Sequence, residues 1–155
     1  MQTAKNEIYT RYSIFSVSGK LFGLEMSTVR EVLPPPKITI LPNVPTHVSG
    51  VYSLRGSIIS LVDIQQILGL NSNGKKDTDM VLLVESYNLL ISFVVEKVLD
   101  FVEVENSKIQ LPSKNIPDGM ASFVRGIFKA DDIGQIYLLN AERLLNSNMV
   151  FVQEN

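Results

Sequence analysis

Arg55 stands at the tip of an otherwise apolar hairpin, beside Gly56, in the run Gly50-Val51-Tyr52-Ser53-Leu54-Arg55-Gly56-Ser57-Ile58-Ile59-Ser60-Leu61-Val62-Asp63. A guanidinium is planar, permanently charged and shaped to grip a carboxylate through two parallel hydrogen bonds. Held by rigid backbone next to an apolar surface, it would pin a partner's orientation. A charge-assisted bond of this kind contributes about 1.5–3 kcal/mol, enough to decide partner choice. The competing reading is a solvated turn arginine with no role. Glu31, just before the triple proline Pro34-Pro35-Pro36, is the candidate internal mate of Arg55, and equally a surface acid on an amphipathic turn.

Other chemistry is thinly represented. Acid–base hydrolysis by a carboxylate pair such as Glu31 and Glu96 requires the two to meet in a pocket with a shifted pKa; they could meet in space, and nothing in the sequence shows that they do. His47 is the single histidine, whereas a triad or a histidine metal site needs more partners; it reads as a surface or half-buried ring on a short helix. Asp131-Asp132 at a hairpin tip is ordinary turn chemistry rather than a cation cage. Gly19, Gly23, Gly50 and Gly56 are too widely spaced for a phosphate loop. With no cysteine, disulfides and thiolate catalysis are excluded. No catalytic residue, metal or cofactor is expected.

The elements that position Arg55 occur twice. Gly50-Val51 is followed thirteen residues on by Asp63 and five further by Leu68; Gly126-Ile127 is followed fourteen on by Asn140 and five further by Leu145. Upstream, Val29 lies thirteen before Pro42 and Val98 fourteen before Pro112. Each half runs valine-rich segment, proline, polar loop, glycine, hairpin, short leucine helix. A duplicated β unit without shared catalytic residues predicts two small barrels side by side, with the seam between them as a binding groove. Val29, Val32, Val95 and Val98 divide between core and seam, and an exposed apolar trough there would suit an amphipathic partner helix.

Period-two alternation predicts strands at 9–17 and 21–25, joined by a turn at 18–20. Ser27-Thr28 can cap a short helical turn carrying Arg30 and Glu31. A short strand at 38–41, one helical turn at 45–48, the hairpin 50–54/57–62 and a helix at 64–70 capped by Asp63 follow, with Gly56 supplying the positive φ of the hairpin turn. Runs 80–84 and 89–95 read as central strands buried on both faces. A strand at 101–104, a loop at 113–120, the hairpin 123–129/135–139 and a helix at 141–145 complete the chain. The polar stretch 71–79 reads as the loop between lobes. The expectation is therefore a mainly β domain over 9–155 of two five-stranded barrels related by duplication, with short helices. The first lobe is placed at 18–78, the second at 9–17 plus 79–146, and a tail at 147–155.

Composition sets limits on partners. Of 155 residues, 45% are hydrophobic, enough for a packed interior, and 19% are charged with a formal net charge of -2. No basic block exceeds Lys75-Lys76, which argues against nucleic acid. The N-terminus lacks a signal-peptide run, and the apolar stretch 89–95 is too short to span a bilayer. A soluble, intracellular protein without direct membrane insertion is expected.

The stretch from Gly50 to Asp63 resembles the CheW family of chemotaxis coupling proteins, whose pattern there is roughly Gly-Val-x-Asn-Leu-Arg-Gly-x-Ile-x-Pro-Val-x-Asp-Leu. Phe22-Gly23-Leu24, Val29-Arg30-Glu31-Val32, Ile40-Leu41-Pro42, Phe93-Val94-Val95-Glu96-Lys97-Val98 and the closing segment from Leu138 to Leu145 extend the resemblance over 12–145. Ser53, Ser60, Ser92, Glu96 and Asn140 depart from the pattern's Asn, Pro, Gly, Asp and Asp; Arg55 and Gly56 are kept. The resemblance implies two SH3-like barrels with a hydrophobic groove, and a cytoplasmic, non-enzymatic adaptor recruited to membrane-associated receptor arrays. The groove would receive the helical hairpin tip of a chemoreceptor, and barrel ends would pair with the regulatory domain of a chemotaxis histidine kinase. Self-association in rings is compatible with it. Carried over by motif, the receptor-side residues are Val29, Glu31, Gly50, Arg55, Ser92 and Val98. The rivals are an acid-pair hydrolase, a structural β domain without a partner groove, and the coupling module of a larger protein, which the absence of an attached receiver disfavours.

Overall fold

The computed structural model describes residues 8–70, 79–112 and 116–148. The expected loop at 71–79 lies outside these except for Asp79, as do 113–115 and the tail from 149.

Strand β1 (Tyr9–Val17) is rich in aromatic and β-branched residues, which favour a pleated, half-buried chain; Tyr12, Ile14, Phe15 and Val17 are buried. Ser18 and Gly19, both at positive φ, turn it into β2 (Lys20–Glu25). A single 3-10 turn, Met26–Thr28, follows, and the Thr28 hydroxyl donates to the Glu25 carbonyl at 2.6 Å. Then comes β3 (Val29–Leu33). Arg30 and Glu31 therefore lie on a strand and not on the helical turn expected from Ser27-Thr28. Their β-branched neighbours Val29 and Val32 prefer extended backbone, and the segment pairs with β6 (Met80–Ser86).

Residues 38–41 contribute only the bridge between Thr39 and Val51 rather than a strand, because the flanking prolines supply no N–H donors. At 45–48 the expected helical turn is a hydrogen-bonded turn from Val48 N–H to the Pro45 carbonyl, 3.0 Å. The hairpin β4 (Val48–Leu54) and β5 (Ser57–Asp63) runs into α1 (Ile64–Ile67). This helix is shorter than expected, since Gly69 at φ 71° turns the chain away. The hairpin of β6 and β7 (Leu89–Val95), the short β8 (Lys97–Val98) and β9 (Val102–Glu105) follow. The second long loop holds a short helix, α2 (Asp118–Ala121); β10 (Val124–Ala130), β11 (Gly134–Leu139) and α3 (Ala141–Asn148) complete the fold.

The strands form two sheets, β3-β6-β7-β5-β4 and β10-β11-β2-β1-β8, with β9 also paired to β1. β8 and β9 occupy successive stretches of one flank of β1, so each sheet has five strand positions. Each closes through a single bridge, Thr39 to Val51 in one and Gln110 to Ile127 in the other. The duplication thus recurs in three dimensions as two SH3-like barrels, down to a register shift beside Gly50 and another beside Gly126.

The lobes are divided differently from the sequence expectation. β2 belongs with β1, and β6 and β7 belong with β3, β4 and β5. The first barrel is thus built from 29–67 plus 80–95, and the second from 9–25, 97–112 and 116–139. Each barrel needs a two-strand hairpin from outside its repeat. The β6–β7 hairpin serves one and the β1–β2 hairpin the other, in each case through a parallel pairing, β5 with β7 and β11 with β2. This strand exchange is invisible to a linear repeat.

Each barrel has a small interior, around Tyr52, Ile59, Leu61, Val81 and Leu83 in one and Tyr12, Ile14, Val104, Ile136 and Leu138 in the other. The largest core lies between the barrels, where Phe15, Phe22 and Leu24 meet Leu82, Ile91 and Phe93, with Leu68, Met120 and Leu144 from the helices.

Candidate functional site

Leu54 and Ser57 face each other across a two-residue turn in which Arg55 has φ 48° and Gly56 φ 87°. Both positive values define a type I′ turn, whose first position favours Asn, Asp or Gly. An arginine held there costs on the order of 1 kcal/mol of backbone strain. Its guanidinium donates to the Glu31 carboxylate on β3, tying the hairpin tip to the strand at the other end of the sheet path. The side chains are 67% and 32% exposed, so the pair adds little to stability. Beside it, Arg30 pairs with Glu85 of β6.

Three of the expected site residues share one transverse row of the first barrel. Glu31 pairs with Leu83, Leu83 with Ser92, Ser92 with Leu61, and Leu61 with Gly50. Their surroundings differ. Glu31 reaches the surface. Ser92 is fully buried, and its hydroxyl bonds to that of Tyr52. Burial pushes the Tyr52 phenol up from its ordinary pKa, and the Ser92 hydrogen bond opposes this. Gly50 is buried where the barrel closes; a Cβ there would stand 2.5 Å from the Thr39 carbonyl oxygen. Ser92 thus points into the barrel, and Gly50 bears no side chain. An alternation of inward residues along each strand puts them inside.

Val29 and Val98 are half-buried and pack against the rim of the inter-barrel core. Asp63 caps α1, its Oδ1 accepting the Gln65 N–H at 3.0 Å. The same place in the repeat is held by Asn140, which accepts the Arg143 N–H at 3.0 Å. The acid pair does not form: Glu31 engages Arg55, while Glu96 accepts the Gly19 N–H at 3.3 Å. His47 precedes β4, and its carbonyl accepts the Asp63 N–H at 2.7 Å. Among the described residues no group of three or more histidine, cysteine or acidic side chains could hold a metal ion. None of the described helices is long and apolar enough to cross a membrane.

Much of the seam is occupied by the inter-barrel core. One cavity of about 380 Å³ at the seam is lined mostly by polar side chains, including Glu25, Thr28, Tyr87, Arg125 and Glu142, with Arg125 and Glu25 paired at 2.6 Å. Exposed apolar side chains occur on the same hairpin and on β3: Ile58, three residues along from Arg55, is 67% exposed and Val32 is 42% exposed. The sequence reading passed over Ile58. The signal was available, because with Ile59 in the barrel interior its neighbour must point outward.

A double barrel with a charged turn at the tip of one hairpin is the frame that the comparisons with known proteins must match. Residues 11–149 match the CheW-like domain family. The chain is 30% identical over 116 residues to Protein PilI of Pseudomonas aeruginosa, covering 74% of this chain and 64% of that protein. It is 25% identical to the chemotaxis protein CheW of Thermotoga maritima over 80% of each chain. The crystal structure of the scaffolding protein TtCheW from Thermoanaerobacter tengcongensis superposes with a TM-score of 0.78 at 27% identity, covering 86% of this chain and 90% of that one. The chain belongs to the CheW-like family, a family of non-enzymatic scaffold proteins of chemotaxis signalling.

Proposed function

We propose that this protein couples a chemoreceptor to a chemotaxis histidine kinase, holding both in fixed relation so that a small receptor movement changes kinase activity. The observation that carries the reading is Arg55, a bulky cation kept at positive φ and paired to Glu31, on a hairpin whose Ile58 is also exposed. Strain retained at a surface turn, where it contributes nothing to packing, is a mark of recognition. The receptor's helical hairpin tip docks against Arg55, Glu31 and Ile58, with Val29, Val32 and Val98 as apolar contacts toward the seam. Gly50 and Ser92 support this face from within. The kinase regulatory domain meets the barrel ends, self-association in rings uses similar surfaces, and the complex assembles at receptor arrays on the cytoplasmic side of the membrane. Contacts of this size are individually weak, which suits a renewable array.

The test is co-purification with a receptor cytoplasmic fragment and a chemotaxis-type kinase. Wild-type protein is expected to bridge the two, and Arg55→Glu to lose the receptor fragment while keeping its fold. Retention of receptor binding by Arg55→Glu would remove Arg55 from the contact. A purely structural domain would retain neither partner.

A further inference from the structure

We propose that the buried hydroxyl pair of Tyr52 and Ser92 is a brace that positions Arg55 over Glu31. The inference rests on the reading of Arg55 as the recognition residue and adds what holds it there.

The need for a brace follows from the pairing. The β4–β5 hairpin is joined to β7 only through Leu61, Val62 and Asp63, at the end far from the turn. Its other flank is held by the single bridge from Thr39 to Val51. From Tyr52 to Ile59, the half that carries Arg55, it is paired only with itself. Such a cantilever can tilt without breaking a ladder hydrogen bond, and tilting would carry the guanidinium away from β3. Tyr52 closes this freedom from inside. Its ring is 5% exposed and packs with Ile59, Leu61, Val81 and Leu83. Its hydroxyl passes beneath β5 to meet Ser92 on β7. Ser92 in turn is paired with Leu83, whose other neighbour is Glu31. The bond therefore ties the free half of the hairpin to the row that ends at Glu31. With a raised phenol pKa, Tyr52 keeps its proton at neutral pH, so the bond is available throughout the physiological range. Glycine at position 92, the residue of the family pattern, would offer no hydroxyl; this chain supplies both halves of the brace.

Tyr52→Phe and Ser92→Ala each remove one hydroxyl and keep the volume of the core close to native. Amide hydrogen exchange is compared between the turn (Leu54 to Ser57) and the sheet centre (Leu82, Phe93), together with affinity for the receptor cytoplasmic fragment. Either variant is expected to speed exchange in the turn by about tenfold relative to the centre, the scale of one buried hydrogen bond, and to weaken receptor binding several-fold. The double variant should exchange no faster in the turn than the worse single one. Turn exchange that rises only in step with the sheet centre would show general destabilisation and overturn the brace. Faster turn exchange with unchanged receptor affinity would leave the brace standing and refute the assignment of Arg55 to the receptor contact.

Discussion

Replacing Gly50 by alanine tests the closure of the first barrel, and the second barrel supplies an internal control. A Cβ on Gly50 would lie 2.5 Å from the Thr39 carbonyl oxygen, 3.1 Å from its carbon and 3.4 Å from Ile38 Cδ1. The oxygen belongs to the closing bridge, where Thr39 N–H donates to Val51 at 2.7 Å and Val51 N–H donates to Thr39 at 2.9 Å. The closest atoms are Thr39 backbone, which cannot rotate away, so segment 34–41 must move outward. Two hydrogen bonds of about 1 kcal/mol each are then lost. Overpacking adds about 1–3 kcal/mol, and the Gly50 φ of 155° is itself one that side chains rarely adopt. Together these place the cost of Gly50→Ala at about 3–5 kcal/mol, a large share of a typical domain's stability. At Gly126 the nearest atom is Ile109 Cγ2 at 2.4 Å, followed by the Gln110 oxygen at 3.1 Å. A side chain can give way there, although a β-branched one does so stiffly, so Gly126→Ala should cost about 1–3 kcal/mol. Urea denaturation with constant m reads both. A loss below about 1 kcal/mol at Gly50, or a larger loss at Gly126 than at Gly50, would refute closure by the backbone bridges.

Further outcomes follow from individual residues. Arg55→Ala should change stability by less than about 1 kcal/mol, as for other exposed ion pairs, and Arg55→Gly should raise it slightly by removing a side chain from positive φ; thermal unfolding checks both. Val98→Asp puts a carboxylate against the inter-barrel core and should cost about 1–3 kcal/mol, so Val98→Ala is the cleaner variant for binding. Tyr12 is fully buried, and its hydroxyl has no hydrogen-bond partner among the described residues; Tyr12→Phe should therefore stabilise by about 1 kcal/mol in denaturant titration. Burial pushes the Tyr12 phenol up, opposed by Arg125 and aided by Glu25, and Tyr52 is also raised. A raised phenol pKa favours the folded state while the unfolded phenol keeps its proton. Stability should hold up to about pH 10 and fall above it, through the folded pKa values, with a shallower fall in Tyr12→Phe.

The sequence was a good guide wherever local rules act alone. Alternation located the hairpins, Asp63 marked a helix start, and the repeat of Gly50 and Gly126 announced two barrels. It failed where tertiary pairing decides. Arg30 and Glu31 followed helix-capping letters on paper and a strand in the fold, because β6 pairs with Val29 and with Glu31 to Leu33 around them. The exchange of the β1–β2 and β6–β7 hairpins between barrels leaves no local trace, so the lobe boundaries were drawn through the wrong loops. The site was half legible. The link between Arg55 and Glu31 could be read from chemistry, whereas the burial of Ser92 and Gly50 depends on which face of a closed barrel each occupies.

The most direct measurement is kinase activity reconstituted from a receptor cytoplasmic fragment, a chemotaxis-type histidine kinase and this protein, with wild type compared against Arg55→Glu at matched folding. Phosphorylation that rises with wild type and stays at the level of kinase alone with Arg55→Glu is the expected result. Equal stimulation by the two proteins, or none by wild type, would contradict it.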